Sequence, residues 1–274
     1  MELPLVVGVD GSDGSARAVD WAAAEAERSG LPLRLVHASL WEHYEGVRPG
    51  PGTDRPSEQI RAENLVASAE ERVSRLAPDV KVSTDIQPED PVTVLLREAR
   101  EAALLVLGPR GHGALAAVLL GSVSLAVAAR ARCPVAVVRG GEPNRRAVHR
   151  RVVVGVGDHA DSAEATRFAF REARWRGCEL VAVRAWHGPD RRRAQARVDE
   201  VLAVVDGEYP DVVPRPELVE GPVRRTLLDE TAGADLLVVG AKRRLPPLGP
   251  RLSRVQHAVL RHAACPVEVV PALD

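Results

Sequence analysis

Short, continuous apolar runs alternate along this chain with longer stretches in which apolar residues recur every three or four positions. In the first half the apolar runs are Leu5–Val9, Leu33–Ala38, Leu104–Leu107 and Val135–Val138, and the helical stretches are residues 15–29, 57–76 and 91–102. Strands that are apolar throughout are covered on both faces, and helices between them supply the cover. The alternation therefore predicts an α/β fold with a doubly wound, Rossmann-like parallel sheet.

The same pattern occurs twice. The segment Leu5–Val9 corresponds to Val152–Val156, and Cys133-Pro134-Val135 corresponds to Cys265-Pro266-Val267. The offset is 147 residues at the start of each half and 132 at the end, far too long for a solenoid repeat. The chain is thus predicted to hold two tandem domains, residues 1–140 and 141–274, with the polar Gly/Pro stretch Arg139–Asn144 as linker.

The most informative stretch follows the apolar run that ends at Leu107. It has the sequence Gly108-Pro109-Arg110-Gly111-His112-Gly113, then seven residues, then Gly121-Ser122-Val123-Ser124. Glycines let backbone N–H groups approach a phosphate, and a helix N-terminus offers free N–H donors at the positive end of its dipole. Because ligands of such sheets bind beyond the carboxyl ends of the strands, Asp10 and Ala38 are expected at the same edge.

In these features the chain resembles the universal stress protein family, of the tandem kind common in actinobacteria. Nucleotide-binding members have Gly, two residues, Gly, nine residues and Gly-Ser/Thr, and Gly108, Gly111 and Gly121-Ser122 match this spacing in full. The family also has an acidic residue just after the first strand, which is Asp10 here. The resemblance implies a cytoplasmic stress or dormancy regulator that binds ATP, with or without Mg²⁺, and reports to a protein partner that the sequence does not identify.

The family pattern also assigns roles. Asp10 with the backbone of Gly8 and Ala38 would hold adenine, and the glycines at 108, 111 and 113 would surround ribose and phosphates. Gly121, Ser122 and Ser124 would donate to the β- and γ-phosphates. The predicted site is Gly8, Val9, Asp10, Ala38, Gly108, Pro109, Arg110, Gly111, His112, Gly113, Gly121, Ser122, Val123 and Ser124. Simpler interpretations stay open, since Asp10 and Ser12 could cap a helix and the glycines could serve turns alone.

The second half departs from this pattern. When the second half is aligned from Gly240, Arg243 replaces Gly111, Ser253 replaces Gly121 and Arg254 replaces Ser122. Gly157 stands in place of Asp10. Bulky side chains at glycine positions block the approach of the backbone to a ligand. We therefore expect the second domain to keep the fold with a degenerate site. Partial compensation by Asp158 and anion binding by the four arginines and one lysine between residues 242 and 254 stay open.

Composition narrows the choice of partners. A formal net charge of −1 gives no electrostatic reason to expect nucleic acid or an anionic membrane as partner. No apolar run approaches the roughly 18 residues of a membrane span, and the segment Met1–Leu5 lacks the basic start of a signal peptide.

Three cysteines are a sparse, odd set that favours a reducing cytoplasm, where Cys133 and Cys265 are expected to be small core residues. No His/Cys/Asp/Glu cluster has metal-ligand spacing.

Three functions remain open at this stage. The first is the ATP-binding regulator. The second is an interaction or assembly protein without nucleotide, and the third is a slow ATP-hydrolysing enzyme, for which no general base is evident. The family's last strands commonly mediate dimerisation, so Val135–Val138 and Val267–Val270 are expected to be covered, either within the chain or in a homo-oligomer.

Overall fold

The structure, a computed structural model, describes residues 2–40, 57–109, 120–158, 161–205, 207–241 and 252–272. By its contacts the chain divides into two compact units. The first comprises Met1–Val127 and Ala131–Cys133, and the second comprises Ala128–Arg130 and Pro134–Asp274.

Four parallel strands form the sheet of the first unit. They are β1 (Leu5–Gly8), β2 (Leu33–Ala38), β3 (Val82–Gln87) and β4 (Leu104–Leu107), in the order β3-β2-β1-β4. The register places Leu5 beside both Leu33 and Leu104. Because β1 lies between β2 and β4, the strand order switches at β1, which is where such a sheet opens a ligand crevice. The predicted α/β fold with parallel strands is confirmed.

The helices of the first unit are α1 (Asp13–Ser29), α2 (Ser57–Leu76), α3 (Pro91–Glu98) and α4 (Ser122–Arg130). Helix α1 begins at the N-cap Ser12, whose hydroxyl accepts from the N–H of Ser15, and ends at Gly30 with φ +71°. Helix α3 ends four residues before the predicted stretch does. Its C-terminus tightens into i→i+3 bonds, such as Arg100 N–H to Arg97 carbonyl at 3.1 Å, as the chain turns towards β4.

The described part of the second unit contains six strands. They are β5 (Val135–Val137), β6 (Arg151–Gly155), β7 (Glu179–Trp186), β8 (Pro214–Glu220), β9 (Leu236–Ala241) and β10 (Val267–Pro271), in the order β5-β10-β9-β6-β7-β8. Its helices are α5 (Glu142–Arg145), α6 (Asp161–Arg176), α7 (Arg191–Ala203), α8 (Val223–Glu230) and α9 (Arg254–His262), with 3₁₀ turns at Gly188–Asp190 and Thr231–Gly233. Among the described helices of the chain, none is long and apolar enough to cross a membrane.

Strand β5 closes the first sequence repeat but groups with the second unit. It pairs antiparallel with β10, so that Val135 lies opposite Val269 and Ala136 lies opposite Glu268. The other pairings within this unit are parallel. An apolar edge strand left bare is an aggregation hazard. The expectation that these last strands are covered is met by their pairing with each other.

The two matched cysteines are core residues, as predicted. Cys133 is 5 % exposed and Cys265 is fully buried. Burial raises the pKa of the Cys133 thiol to about 12, and it raises the pKa of Cys265 as well. Thiols in this state are protonated at neutral pH and therefore poor nucleophiles.

The stretch 139–144, interpreted above as a linker, is hydrogen-bonded to the second unit. The guanidinium of Arg139 donates to the carbonyl of Ala263 at 2.9 Å, which caps the C-terminus of α9. The buried amide of Asn144 donates to the carbonyl of Ala234 at 2.8 Å. The polar side chains of this stretch therefore donate hydrogen bonds to carbonyl groups at the ends of neighbouring helices and strands.

We expect Asn144→Ala to lower the free energy of unfolding by about 1–3 kcal/mol, because it leaves a buried carbonyl without its donor. Urea unfolding measures the loss. The control is Asn64→Ala, which removes the same amide from an exposed position on α2 and should change stability by less than about 0.5 kcal/mol. Equal stability of the two variants would show that the stretch is a passive connector.

Candidate functional site

A cavity of about 540 Å³ lies at the carboxyl ends of β1, β2 and β4 in the first unit. Nine of the fourteen predicted site residues line it: Gly8, Val9, Asp10, Ala38, Gly108, Gly121, Ser122, Val123 and Ser124. Pro109 lies beside them, and its carbonyl accepts from the N–H of Gly121 at 2.7 Å. Arg110, Gly111, His112 and Gly113 lie outside the described residues.

Six further lining residues were not predicted: Ser15, Val36, Pro91, Leu95, Leu107 and Leu120. Most of them are apolar, so the lining combines apolar side chains with the polar groups of Asp10 and of the N-terminus of α4. The helical period of residues 91–102 places Leu95 on an inner face, but only the strand order brings α3 to this edge. Ser15 lies three residues after the N-cap candidate Ser12, and this spacing in the sequence indicates that the start of a helix brings the two serines together.

Asp10 both builds the turn after β1 and lines the cavity. One oxygen of its carboxylate, Oδ1, accepts from the N–H of Ser12 at 2.9 Å. Its own backbone N–H donates to Oγ of Ser15 at 3.2 Å. The N-cap of α1 is Ser12, whose Oγ accepts from the N–H of Ser15 at 3.1 Å. The capping role left open above thus belongs to Ser12, while Asp10 presents a carboxylate at this edge.

The neighbouring backbone is held in place by β2. The N–H of Val9 donates to the carbonyl of Val36 at 2.9 Å, which extends the parallel pairing beyond β1. The carbonyl of Val9 accepts from Nδ1 of His37 at 2.8 Å, so Nδ1 carries the proton. This end of the cavity is therefore a fixed surface of backbone groups with one carboxylate.

Gly108 allows β4 to end directly against the start of α1. A Cβ atom at position 108 would lie 2.6 Å from the carbonyl carbon of Gly14 and 2.9 Å from the backbone nitrogen of Ser15. Both distances are shorter than real Cβ contacts. Close packing is sufficient to require glycine here, independently of any ligand.

The N-terminus of α4 faces the cavity without a side-chain cap. Gly121 is the N-cap residue, with φ −67° and ψ 152°, and it has no side chain to close the helix end. The first intrahelical bond runs from the N–H of Leu125 to the carbonyl of Gly121 at 3.0 Å. The N–H groups of residues 122–124 precede this bond, and all three residues line the cavity. Such a helix end carries a partial positive charge that favours an anion.

The hydroxyl of Ser124 makes a hydrogen bond within the protein. It donates to the carbonyl of Gly108 at 2.8 Å and so ties the first turn of α4 to the end of β4. The family pattern assigns Ser124 a contact with phosphate. In this conformation its hydroxyl proton points to Gly108, and its backbone N–H is the group that belongs to the helix N-terminus.

Three described helices of the first unit begin beside this cavity, and two of them are capped by side chains. Ser12 caps α1, and the carboxylate of Asp90 caps α3 by accepting from the N–H of Thr93 at 2.9 Å. Of these three helices, α4 is the one whose N-terminus is open to the cavity. An anion is therefore expected at the N-terminus of α4 rather than at the carboxylate of Asp10.

The corresponding helix of the second unit is closed by its own side chains. Ser253 is the N-cap of α9, and its Oγ accepts from the N–H of Gln256 at 3.2 Å. In return, Oε1 of Gln256 accepts from the N–H of Ser253, which completes a capping box. Gln256 also donates to the carbonyl of Gly240, as Ser124 does to Gly108.

An arginine of the second unit occupies the position that corresponds to His37 of the first unit. Arg184 donates to the carbonyl of Val156 at 3.1 Å, as His37 does to the carbonyl of Val9. The same guanidinium pairs with the carboxylate of Asp158. The second unit thus presents an arginine–carboxylate pair where the first unit presents Asp10.

Comparison with known proteins places the chain in a family. The model of the universal stress protein family matches residues 3–139 and 149–271. Universal stress protein Rv2005c from Mycobacterium tuberculosis is 35 % identical over 97 % of this chain and 96 % of its own length. Among solved structures, a universal stress protein from Archaeoglobus fulgidus has a TM-score of 0.75 at 17 % identity and covers 98 % of both chains. A universal stress protein solved in complex with cAMP is 29 % identical over 49 % of this chain and 95 % of that chain, with a TM-score of 0.37. The chain belongs to the universal stress protein family and contains two tandem regions of it.

Proposed function

We propose that the first unit binds one adenine nucleotide, ATP in the first instance, and that the chain is a cytoplasmic stress regulator that reports its nucleotide state to a protein partner. The observation that carries the proposal is the uncapped N-terminus of α4, which lines the same cavity as the carboxylate of Asp10. A ligand that suits both features has an anionic group for the helix N-terminus and a hydrogen-bond donor for the carboxylate. Nucleotides of adenine have this arrangement.

The cavity has the size and lining that such a ligand needs. Its volume of about 540 Å³ lies within the roughly 300–1,000 Å³ of ligand pockets. The apolar side chains of Val36, Leu95 and Leu107 are suited to contact the faces of a base. The carboxylate of Asp10 lines the cavity, and a carboxylate is the kind of acceptor that suits an exocyclic amino group.

The lining favours binding over rapid hydrolysis. Among the described lining residues, Asp10 is the one with an ionisable side chain, and the proposal places it at the base. Phosphoryl transfer to water needs a group that positions the water and charges that stabilise the transition state. The described phosphate end supplies backbone N–H donors, so we expect the nucleotide to remain bound and intact.

Asp10→Ala tests the orientation of the ligand. Loss of a hydrogen bond to a charged acceptor costs about 1.5–3 kcal/mol, so the affinity for ATP should fall about 10- to 150-fold. The affinity for inorganic tripolyphosphate, which lacks a base, should change less than about threefold. Isothermal titration calorimetry with both ligands measures the difference.

Two companion variants make this test specific. Asp10→Asn keeps an oxygen that can accept from Ser12, so it preserves the turn while it loses the charge and should still weaken ATP. Asp13→Ala removes a carboxylate from the first turn of α1, at a residue that is exposed and absent from the cavity lining, and should leave ATP affinity near wild type. Equal losses for ATP and tripolyphosphate in the Asp10 variants would refute the proposed orientation.

A further inference from the structure

We propose that Ser15 is a positioning residue for nucleotide binding, which acts by fixing Asp10. The inference rests on the proposed function of the first unit. Ser15 is only 5 % exposed, although it lies in the first turn of a helix and lines the cavity. It was not among the residues predicted from the sequence.

A closed set of three hydrogen bonds links Ser15 to Asp10. Oγ of Ser15 accepts from the N–H of Asp10 at 3.2 Å, and the N–H of Ser15 donates to Oγ of Ser12 at 3.1 Å. The N–H of Ser12 donates in turn to Oδ1 of Asp10 at 2.9 Å. The backbone and the carboxylate of Asp10 are therefore held by the same two serines, which limits the orientations that the carboxylate can adopt.

Ser15 also contacts the end of β4. A Cβ atom at Gly108 would be 2.9 Å from its backbone nitrogen, so the end of β4 packs directly on this residue. The carbonyl of Gly108 accepts from the hydroxyl of Ser124 at 2.8 Å. Contacts thus run without interruption from Asp10 through Ser15 and Gly108 to the first turn of α4. A second cavity of about 520 Å³, between α1 and α2, is lined by Asp10 and Ser15 as well.

The second unit repeats the serine contact without the carboxylate. Oγ of Ser162 accepts from the N–H of Gly157 at 2.9 Å, and Gly157 stands in place of Asp10. The serine contact therefore stabilises the turn in both units, and it can affect nucleotide binding only in the first unit, where it holds Asp10. This difference makes Ser162→Ala a matched control for Ser15→Ala.

The test is a double-mutant cycle read out by calorimetry with ATP and with tripolyphosphate. We expect Ser15→Ala to weaken the binding of ATP about tenfold and the binding of tripolyphosphate less than about twofold. Ser162→Ala should lower the melting temperature about as much as Ser15→Ala does, and it should leave the affinities for both ligands unchanged. Because Ser15 acts through Asp10, the variant Asp10→Ala/Ser15→Ala should bind ATP no more weakly than Asp10→Ala alone.

The outcomes separate this inference from the proposed function. If the wild-type chain does not bind ATP, the proposed function fails. If it binds ATP but Ser15→Ala leaves the affinity unchanged, weakens both ligands equally, or adds its full effect to that of Asp10→Ala, the positioning role alone is overturned. If the alanine variant does not fold, Ser15→Cys keeps nearly the same volume with a much weaker acceptor and should give the same preferential loss of ATP.

Discussion

The variant Gly121→Ser/Ser124→Gln should lose ATP binding by at least about 100-fold while its fold remains as stable as that of the wild type. The two substitutions place on α4 the capping box that closes α9, where Ser253 and Gln256 satisfy each other. Side-chain oxygens would then occupy the position proposed for phosphate oxygens. Loss of two or more hydrogen bonds to a charged group, each worth about 1.5–3 kcal/mol, accounts for the expected factor.

Stability and a second ligand are the controls for this variant. A new N-cap contributes about 0.5–2 kcal/mol, so urea unfolding should show unchanged or increased stability. Adenosine, which has no phosphate, should bind the variant and the wild type with similar affinity. Wild-type affinity for ATP in a folded variant would mean that the phosphates do not lie at the N-terminus of α4.

Native mass spectrometry in excess ATP should show one nucleotide per chain. In the second unit, the capping box satisfies the N-terminus of α9, and Arg184 pairs with Asp158 at the edge where the first unit has Asp10. A nucleotide would have to displace these contacts before it gained its own. The loss of two contacts at about 1.5 kcal/mol each weakens binding more than 100-fold.

The matched comparison uses the capped variant of α4. Gly121→Ser/Ser124→Gln should abolish the single nucleotide adduct, because it closes the one helix end proposed to receive phosphate. A second adduct of similar affinity in the wild type would place a nucleotide site in the second unit. A single adduct that persists in the capped variant would show that the phosphates do not lie at the N-terminus of α4.

Local patterns were enough to predict the fold and much of the lining of the cavity. Apolar runs and helical periods identify the strands, and the carboxyl ends of parallel strands must meet at one edge. Asp10, Ala38 and Gly121 therefore come together as expected from their positions after strands and before a helix. The spacing Ser253-x-x-Gln256 also contains a capping box, although we first interpreted Ser253 only as the loss of a glycine.

Contacts between distant parts of the chain were not predictable in this way. Arg139 caps a helix at Ala263, and Asn144 donates to Ala234, so a polar stretch that is typical of a linker is fixed by residues about a hundred positions away. Pro91 and Leu95 line the cavity because the strand order places α3 at that edge of the sheet. The strand order cannot be predicted from the apolar periodicity of the sequence alone.

Equilibrium dialysis of the full chain against labelled ATP tests the central claim most directly. The account predicts saturable binding near one nucleotide per chain, preserved in Asp13→Ala and lost in Gly121→Ser/Ser124→Gln. The absence of saturable binding by the wild-type chain, or equal binding by the wild type and the capped variant, would contradict it.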